Sequence, residues 1–384
     1  MKFSCTQENL KRGLLSTGYV AGKNVNLPIL NNVLLKIEGT SIQLISTNLE
    51  VAVRCVIRGK IDEGGEFTVP SKLFLEYVNL LPDDRIDLEA NDTYLKVGCR
   101  KNSTKIKGVA ATEFPLIPSV EGEKVFYVPG PMLKRALGQV NFAVSSVESR
   151  PELTGALFNI NPEFSKGSLI IAATDSYRLS EKRVKLCQKG ANPSSSLSQA
   201  IIVPGKTLQE LSRILALFSP AELDAEPVEL TVGEGQVAFR FGEVELISRL
   251  VDGKYPDYRP IIPEKFTTEA VFQKSDMVQA VKSASLFARA GLQDVNFKLG
   301  QEDGLAVSSS EGQMGKNDSA VEAQVTGPAN GITLNYKYFL DGLAALETPK
   351  ARLRVIDAMN PCVLMADGED TGERLTYIVM PIKQ

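Results

Sequence analysis

Apolar residues recur at helical spacing in six stretches of this chain, and between those stretches they alternate or gather into short strand-like runs. Three of the helical stretches share one phrase. Val69-Pro70-Ser71-Lys72 leads into LFLEYVNLL, Val203-Pro204-Gly205-Lys206 into TLQELSRIL, and Leu334-Asn335-Tyr336-Lys337 into YFLDGLAAL. Set on their lysines, the copies stand 134 and 131 residues apart. Each has an acid four places on (Glu76, Glu210, Asp341), a large apolar residue at plus two (Phe74, Leu208, Phe339) and a leucine at plus nine (Leu81, Leu215, Leu346). A step of four turns lysine and acid to the same side of a helix, with the apolar set on the other. Three such helices at near-equal spacing predict a tandem of three like domains.

Each third opens with a second kind of helix. Thr6–Thr17 carries Leu10 and Leu14, Pro131–Ser146 carries Leu133, Leu137, Val140 and Val144, and Ser275–Ala290 carries Met277, Val281, Ala284 and Ala288. Strand-like runs follow at Val33–Ile37, Ala156–Ile160 and Val295–Leu299. Next come strands entering polar turns at Leu44–Leu49, Ile170–Ser176 and Leu305–Glu311. After each lysine-phrase helix, period-two alternation returns as a hairpin: 86–90 with 95–97, 228–232 with 237–241, and 353–356 with 363–366. The expected class is α+β, two helices against antiparallel sheet in each third. Pro-rich punctuation places domains at 1–121, 122–264 and 265–384, and Gln188–Gln199 is expected to be a solvated loop.

Composition narrows the function classes. The 384 residues exceed what one core accommodates and suit three domains. No apolar run approaches the length of a membrane span, and the opening Met1-Lys2-Phe3-Ser4-Cys5 lacks a signal-peptide core. Five cysteines (Cys5, Cys55, Cys99, Cys187, Cys362) share no ligand spacing and read as reduced thiols of a cytoplasmic protein. The chain has no histidine. That removes Ser-His-Asp and Cys-His nucleophiles and the commonest zinc sets, leaving only carboxylate, lysine or tyrosine chemistry open to an enzyme. The six helical stretches carry +5 in a chain of net −3, leaving −8 elsewhere. Basic helices on an acidic body suit a polyanion partner, although lysine and arginine also serve simply as exposed helix formers.

Ala173-Thr174-Asp175-Ser176-Tyr177-Arg178-Leu179, Val251–Pro263 (VDGKYPDYRPIIP), Asn26–Asn31 (NLPILN) and Tyr377–Ile382 (YIVMPI) resemble the bacterial sliding clamp family, the beta subunit of DNA polymerase III. The likeness runs through all three thirds. It implies three DNA-clamp-like domains per chain and a head-to-tail homodimer closing as a six-domain ring, helices inward, around duplex DNA. It implies no catalysis, cofactor, metal or membrane contact. The implied partners are double-stranded DNA bound without sequence preference, the replicative polymerase subunit, the clamp loader and other proteins with a clamp-binding motif.

The resemblance also implies site residues. The partner-peptide pocket maps onto Leu153, Thr174, Tyr177, Arg178, Leu179, Pro256, Ile261, Asn335, Tyr338, Met359, Met380, Pro381 and Ile382. Where the family commonly has Gly-His after Thr-Asp, this chain has Ser176-Tyr177, and its ending is Ile382-Lys383-Gln384 rather than Met-Arg-Leu. Alternation along an extended run is expected to put Tyr177 and Leu179 on one side. Pro256 and Pro381 would give stiff apolar edges, Met359 and Met380 adaptable ones. DNA contacts fall at Lys11, Arg12, Lys23, Asn24, Lys134, Arg135, Arg150 and Lys206. The ring joint falls at Lys72, Thr104 and Ile106 on one side and Leu286 and Phe287 on the other. Two adjacent large apolar residues on a helix cannot both face one core stripe.

Two rival readings stand beside this one. Asp175, Tyr177 and Arg178 supply an acid, a phenol and an anion clamp for a carboxylate-based hydrolase, or the repeats build a scaffold that binds protein alone.

Overall fold

The computed structural model describes residues 1–21, 27–117, 119–120, 124–187, 198–289, 291–302, 304–311, 315–368 and 374–383. The first third runs β1 (Lys2–Thr6), α1 (Gln7–Thr17), β2 (Asn32–Glu38), β3 (Ser41–Thr47), β4 (Val51–Ile57), β5 (Lys60–Glu63), β6 (Gly65–Pro70), α2 (Ser71–Leu80), β7 (Arg85–Ala90), β8 (Tyr94–Cys99) and β9 (Asn102–Lys107). The middle third runs β10 (Lys124–Val128), α3 (Gly130–Val140), β11 (Gly155–Ile160), β12 (Ser168–Thr174), β13 (Arg178–Lys185), β14 (Gln199–Pro204), α4 (Gly205–Ala216), α5 (Pro220–Ala225), β15 (Val228–Val232), β16 (Gln236–Phe241) and β17 (Val244–Arg249). The last third runs β18 (Thr268–Gln273), α6 (Lys274–Ser285), β19 (Asp294–Gly300), β20 (Gly304–Glu311), β21 (Gly315–Val321), β22 (Ala323–Thr326), β23 (Asn330–Asn335), α7 (Tyr336–Ala345), β24 (Lys350–Val355), β25 (Cys362–Ala366) and β26 (Leu375–Val379).

Local chemistry accounts for the helix ends. Thr6 caps α1 by accepting the Asn9 amide at 3.2 Å, and Asn335 caps α7 by accepting the Lys337 and Tyr338 amides. α3 stops at Val140, short of the expected Ser146, and passes into a 3-10 turn. Side chains take carbonyls here: Ser180 Oγ donates to the Gln139 carbonyl near the end of α3 at 2.6 Å, and Arg178 Nη2 donates to the Phe142 carbonyl in the 3-10 turn at 2.7 Å. α6 likewise ends at Ser285, where the Ser285 hydroxyl donates to the Lys282 carbonyl at 2.7 Å. The expected loop at 188–199 falls outside the described residues up to 197, and Gln199 opens β14.

The strands form four antiparallel sheets in two compact units. The first unit holds the five-stranded sheet β5-β1-β7-β8-β9 and the eight-stranded sheet β10-β15-β16-β17-β4-β3-β2-β6. The second holds the nine-stranded sheet β14-β11-β12-β13-β26-β25-β24-β18-β22 and the four-stranded sheet β21-β20-β19-β23. Leu10 and Leu14 of α1 are fully buried in the first unit. Met277, Val281, Phe339 and Leu343 are buried in the core of the second, where the rings of Phe297 and Phe339 lie 4.6 Å apart. Each such side chain contributes about 1.5–3 kcal/mol through burial.

One pairing rule builds both large sheets. Within each third, three strands directly follow the first helix (β2–β4, β11–β13, β19–β21), and three follow the lysine-phrase helix and close the third (β7–β9, β15–β17, β24–β26). The last strand of the middle group, β17, pairs antiparallel with β4, from Val244↔Cys55 to Ser248↔Val51. The last strand of the final group, β26, pairs antiparallel with β13, from Val379↔Arg178 to Leu375↔Lys182. The same strand type thus meets the same strand type twice. Its remaining members, β9 and β21, are end strands of their sheets.

Candidate functional site

The turn from β12 to β13 is held by its own side chains. Asp175 Oδ1 accepts the amides of Tyr177 (2.9 Å) and Arg178 (3.0 Å), and Thr174 Oγ1 accepts the Ser176 amide (3.1 Å) while donating to the Arg178 carbonyl (2.6 Å). Arg178 then leaves the turn inward. Its Nε donates to Asp175 Oδ2 at 2.9 Å, its Nη1 to Asp341 Oδ2 at 2.5 Å, and its guanidinium lies 4.5 Å from the Tyr338 ring. The Tyr255 hydroxyl accepts the Thr174 amide at 3.1 Å, and the Tyr258 hydroxyl donates to Glu181 at 2.5 Å. Burial pushes both phenols well above their usual range.

Over this turn lies a cavity of about 260 Å³. Leu153, Leu179, Pro256, Tyr258, Ile261 and Ile378 give it apolar walls. Arg150, Thr174, Ser176, Arg178, Asp257 and Met380 complete it. An apolar recess with a few convergent polar groups is the usual form of a binding pocket.

Of the thirteen residues assigned to a pocket from the sequence, Leu153, Thr174, Arg178, Leu179, Pro256, Ile261 and Met380 line this cavity. The other six stand elsewhere. Tyr177 is 64% exposed and stacks on Tyr338 with ring centroids 6.5 Å apart, whereas Leu179 is buried. The expected shared side for Tyr177 and Leu179 is therefore corrected: Tyr177 lies in the bend before β13 begins at Arg178, so the alternation of the extended run does not reach it. Asn335 serves as the α7 cap, Met359 sits exposed in a turn held by Asp357, and Pro381 and Ile382 are half-buried. The Ile382 amide donates to the Thr333 carbonyl at 2.8 Å. Sequence reasoning missed Ser176, Asp257, Tyr258 and Ile378 as wall residues, and it assigned Arg150 to DNA. Tyr258 and Ile378 lie inside the quoted motifs, so their position beside assigned residues was the available signal.

The hydrolase reading is not favoured by this geometry. Asp175 and Arg178 are consumed in holding the turn, Tyr177 is stacked on Tyr338, and Asp257 is paired with Arg259 at 3.3 Å. Among the described residues, no group of three metal-ligating side chains converges. Burial pushes the thiols of Cys5, Cys55 and Cys362 up to about 12, far from a nucleophile's range.

The basic candidates are dispersed. Lys206 is exposed and Lys11 and Lys134 are half-buried, while Lys23 and Asn24 lie outside the described residues. Arg12 donates to Glu222 at 2.6 Å and lies 4.4 Å from the Phe218 ring, on the wall of a second cavity of about 470 Å³. Arg135 pairs with Glu347 at 3.0 Å. Glu222 belongs to α5, a helix absent from the sequence reading, and α5 brings a charge of −2. Its signal was Ser219-Pro220-Ala221-Glu222, a capping box with proline at the first helical position. At the expected joint, Lys72 is exposed and Thr104 half-buried, but Ile106 is only 4% exposed and belongs to its own core. Leu286 is 70% exposed and Phe287 half-buried. Leu73 and Leu80, 53% and 85% exposed on α2, went unnoticed.

A threefold α+β repeat whose sheets merge by one pairing rule defines the class as a clamp of tandem like domains. The chain belongs to the DNA polymerase III beta subunit family, matching its N-terminal domain over residues 1–118, its central domain over 127–257 and its C-terminal domain over 259–383. It is 28% identical over 395 residues to the beta sliding clamp of Bacillus subtilis (strain 168), with the whole of both chains covered. It is 29% identical over 387 residues to that of Synechococcus elongatus, covering 100% of this chain and 99% of the relative. Among solved structures, the Bacillus subtilis DNA polymerase sliding clamp superposes with TM-score 0.89 at 27% identity, covering 100% and 99% of the two chains. A Pseudomonas aeruginosa sliding clamp bound to griselimycin does so with TM-score 0.89 at 26% identity, covering both chains fully.

Proposed function

We propose that this protein works in the cytoplasm as a head-to-tail homodimeric ring that encircles duplex DNA and tethers polymerase and other DNA-processing partners. The pairing rule carries the reading. β17 meets β4 and β26 meets β13, so the next application of the rule joins β21 of one copy to β9 of another. Two copies joined head to tail satisfy both sets of ends, and closure removes exposed sheet edges.

The helices repeat the same logic. Arg213 of α4 donates to the carbonyls of Leu15 (2.6 Å) and Ser16 (2.9 Å) at the end of α1, and Gln139 of α3 donates to the Ala345 carbonyl of α7 at 2.8 Å. First-type helix therefore meets lysine-phrase helix at each joint. The pair left over is α6 with α2 of a second copy, which sets Leu286 against Leu73 and Leu80. This supports Leu286, Phe287, Lys72 and Thr104 as joint residues, with Leu73 and Leu80 added.

The charge partition supports diffuse, sequence-independent DNA binding, since the six repeat helices keep +5 while the rest of the chain is acidic. The 260 Å³ cavity suits the apolar side chains of a partner's peptide segment, such as one from the polymerase subunit or clamp loader. Sedimentation at micromolar concentration, with negative-stain images of the same sample, tests the assembly. A dimer imaged as a ring with a central hole is expected; a monomer, or a compact dimer with no hole, overturns the reading.

A further inference from the structure

Ser176 occupies a left-handed backbone conformation, φ +79°, that residues with a Cβ seldom adopt outside Asn and Asp. Its hydroxyl has a specific use. Ser176 Oγ accepts from Arg150 Nη1 at 3.0 Å, and Arg150 Nε donates to Glu152 Oε1 at 3.1 Å. Arg150 and Ser176 both line the 260 Å³ cavity, so the bond ties two of its walls and fixes a guanidinium at its mouth.

The other charged groups there are committed. Arg178 spends Nε, Nη1 and Nη2 on Asp175, Asp341 and the Phe142 carbonyl, and Asp257 is paired with Arg259. Arg150 alone keeps donor capacity: its Nη2 has no acceptor among the described residues, and its side chain is half-exposed. Glu152 bonds Nε only, so the Nη2 edge of the guanidinium is left with free N–H donors among the described residues. A carboxylate approaching that edge would make a charge-assisted hydrogen bond in the planar geometry guanidinium favours.

We propose that Ser176 is a positioning residue that holds Arg150 over the cavity mouth, so that this clamp selects partner segments carrying an acidic side chain beside their apolar anchors. The inference rests on the peptide-docking reading above.

Fluorescence anisotropy with the intact protein tests it, using two labelled octapeptides, Ser-Gly-Glu-Leu-Leu-Phe-Gly-Ser and its Gln-for-Glu counterpart. The wild type should prefer the Glu peptide by about fivefold at low salt, a preference that shrinks as salt is added. Arg150→Ala and Ser176→Gly should lose the preference, the ratio of their affinities for the Glu and Gln peptides falling to about one. Ser176→Asn should keep it, because Asn tolerates the left-handed region and offers a side-chain acceptor. A wild type indifferent to the acid, a Ser176→Gly variant that keeps full preference, or an Asn variant that behaves like Gly each overturns the proposal. Failure of both peptides to bind the wild type sinks instead the docking reading beneath it.

Discussion

Arg178 of β13 and Asp341 of α7 are joined by a hydrogen bond of 2.5 Å, although 163 residues separate them. Their joint is tight because the Arg178 side chain is nearly buried, and its remaining donors go to Asp175 and the Phe142 carbonyl. Arg178→Ala leaves Asp175 in a half-built site without its cation, and the loss should be about 3–5 kcal/mol. Asp341 is half-exposed, so Asp341→Asn should cost only about 1 kcal/mol. Urea unfolding of the two variants measures the difference; equal losses would mean that the guanidinium is not the centre of the network.

A second ion pair makes stability depend on pH. The Ser219 amide, and after it the Arg12 guanidinium, hold the Glu222 carboxyl down at about 2, against an ordinary value of 4.5. A depressed carboxylate contributes stability that is present above its unfolded value and fades as pH falls through the folded one. The protein should therefore lose stability between about pH 4.5 and pH 2 in part through this group. Both side chains are about two-fifths exposed, so solvent screens the pair and the effect is modest. Glu222→Gln should lower the neutral-pH melting temperature slightly and flatten the acid limb, the two proteins converging as the pH approaches about 2. An unaltered acid limb would remove Glu222 from the account.

How far the sequence was legible follows from where each signal is stored. Periodicity is local, so the helical stripes that bury Leu10, Leu14, Phe74 and Phe339 are legible in the sequence. The acids of the repeated phrase show the limit. Glu76 does pair with Lys72, at 3.8 Å, as a step of four predicts, but Glu210 is taken by Arg213 and Asp341 by Arg178. Tertiary partners nearer and better oriented displaced the local one. The same holds for the pocket. Leu153, Pro256 and Met380 were reachable through resemblance, whereas the roles of Ser176 and Arg150 depend on a positive φ and a side-chain bond spanning 26 residues, which no periodicity encodes. Ile106 looked like a joint residue by position, yet strand alternation buries it between exposed Lys105 and Lys107.

The dimer joint should be unusual in its chemistry. The α1–α4 contact uses the Arg213 guanidinium, and the α3–α7 contact uses Gln139 and the Arg135–Glu347 pair. Counted from the phrase lysine, Arg213 corresponds to Asn79 on α2, which has no charge to offer. The joint should therefore rest on Leu73 and Leu80 meeting Leu286. Leu73→Glu with Leu80→Glu should give a folded monomer by sedimentation with an unchanged circular dichroism spectrum, since both side chains are exposed within one chain. The wild-type dimer should resist salt because apolar burial is not screened. A double variant that stays dimeric would place the joint elsewhere.

The end of the chain offers the sharpest separation between sealing a core and receiving a partner. Met380 lines the cavity, its amide donates to the Tyr177 carbonyl at 2.9 Å, and the Ile382 amide donates to the Thr333 carbonyl at 2.8 Å. The two bonds clip the tail down, yet Met380, Pro381 and Ile382 are only half-buried and Lys383 is exposed. Deleting residues 380–384 forfeits two hydrogen bonds, about 0.5–1.5 kcal/mol each, and little packing. Fold and dimer mass should survive, because chain ends carry few long-range contacts. The cavity, however, loses one wall together with an adaptable methionine suited to several partners. Binding of the Glu octapeptide should weaken by roughly tenfold or more, equivalent to about 1.4 kcal/mol. A truncated dimer that bound the peptide as tightly as the intact one would show that the tail only seals the second unit.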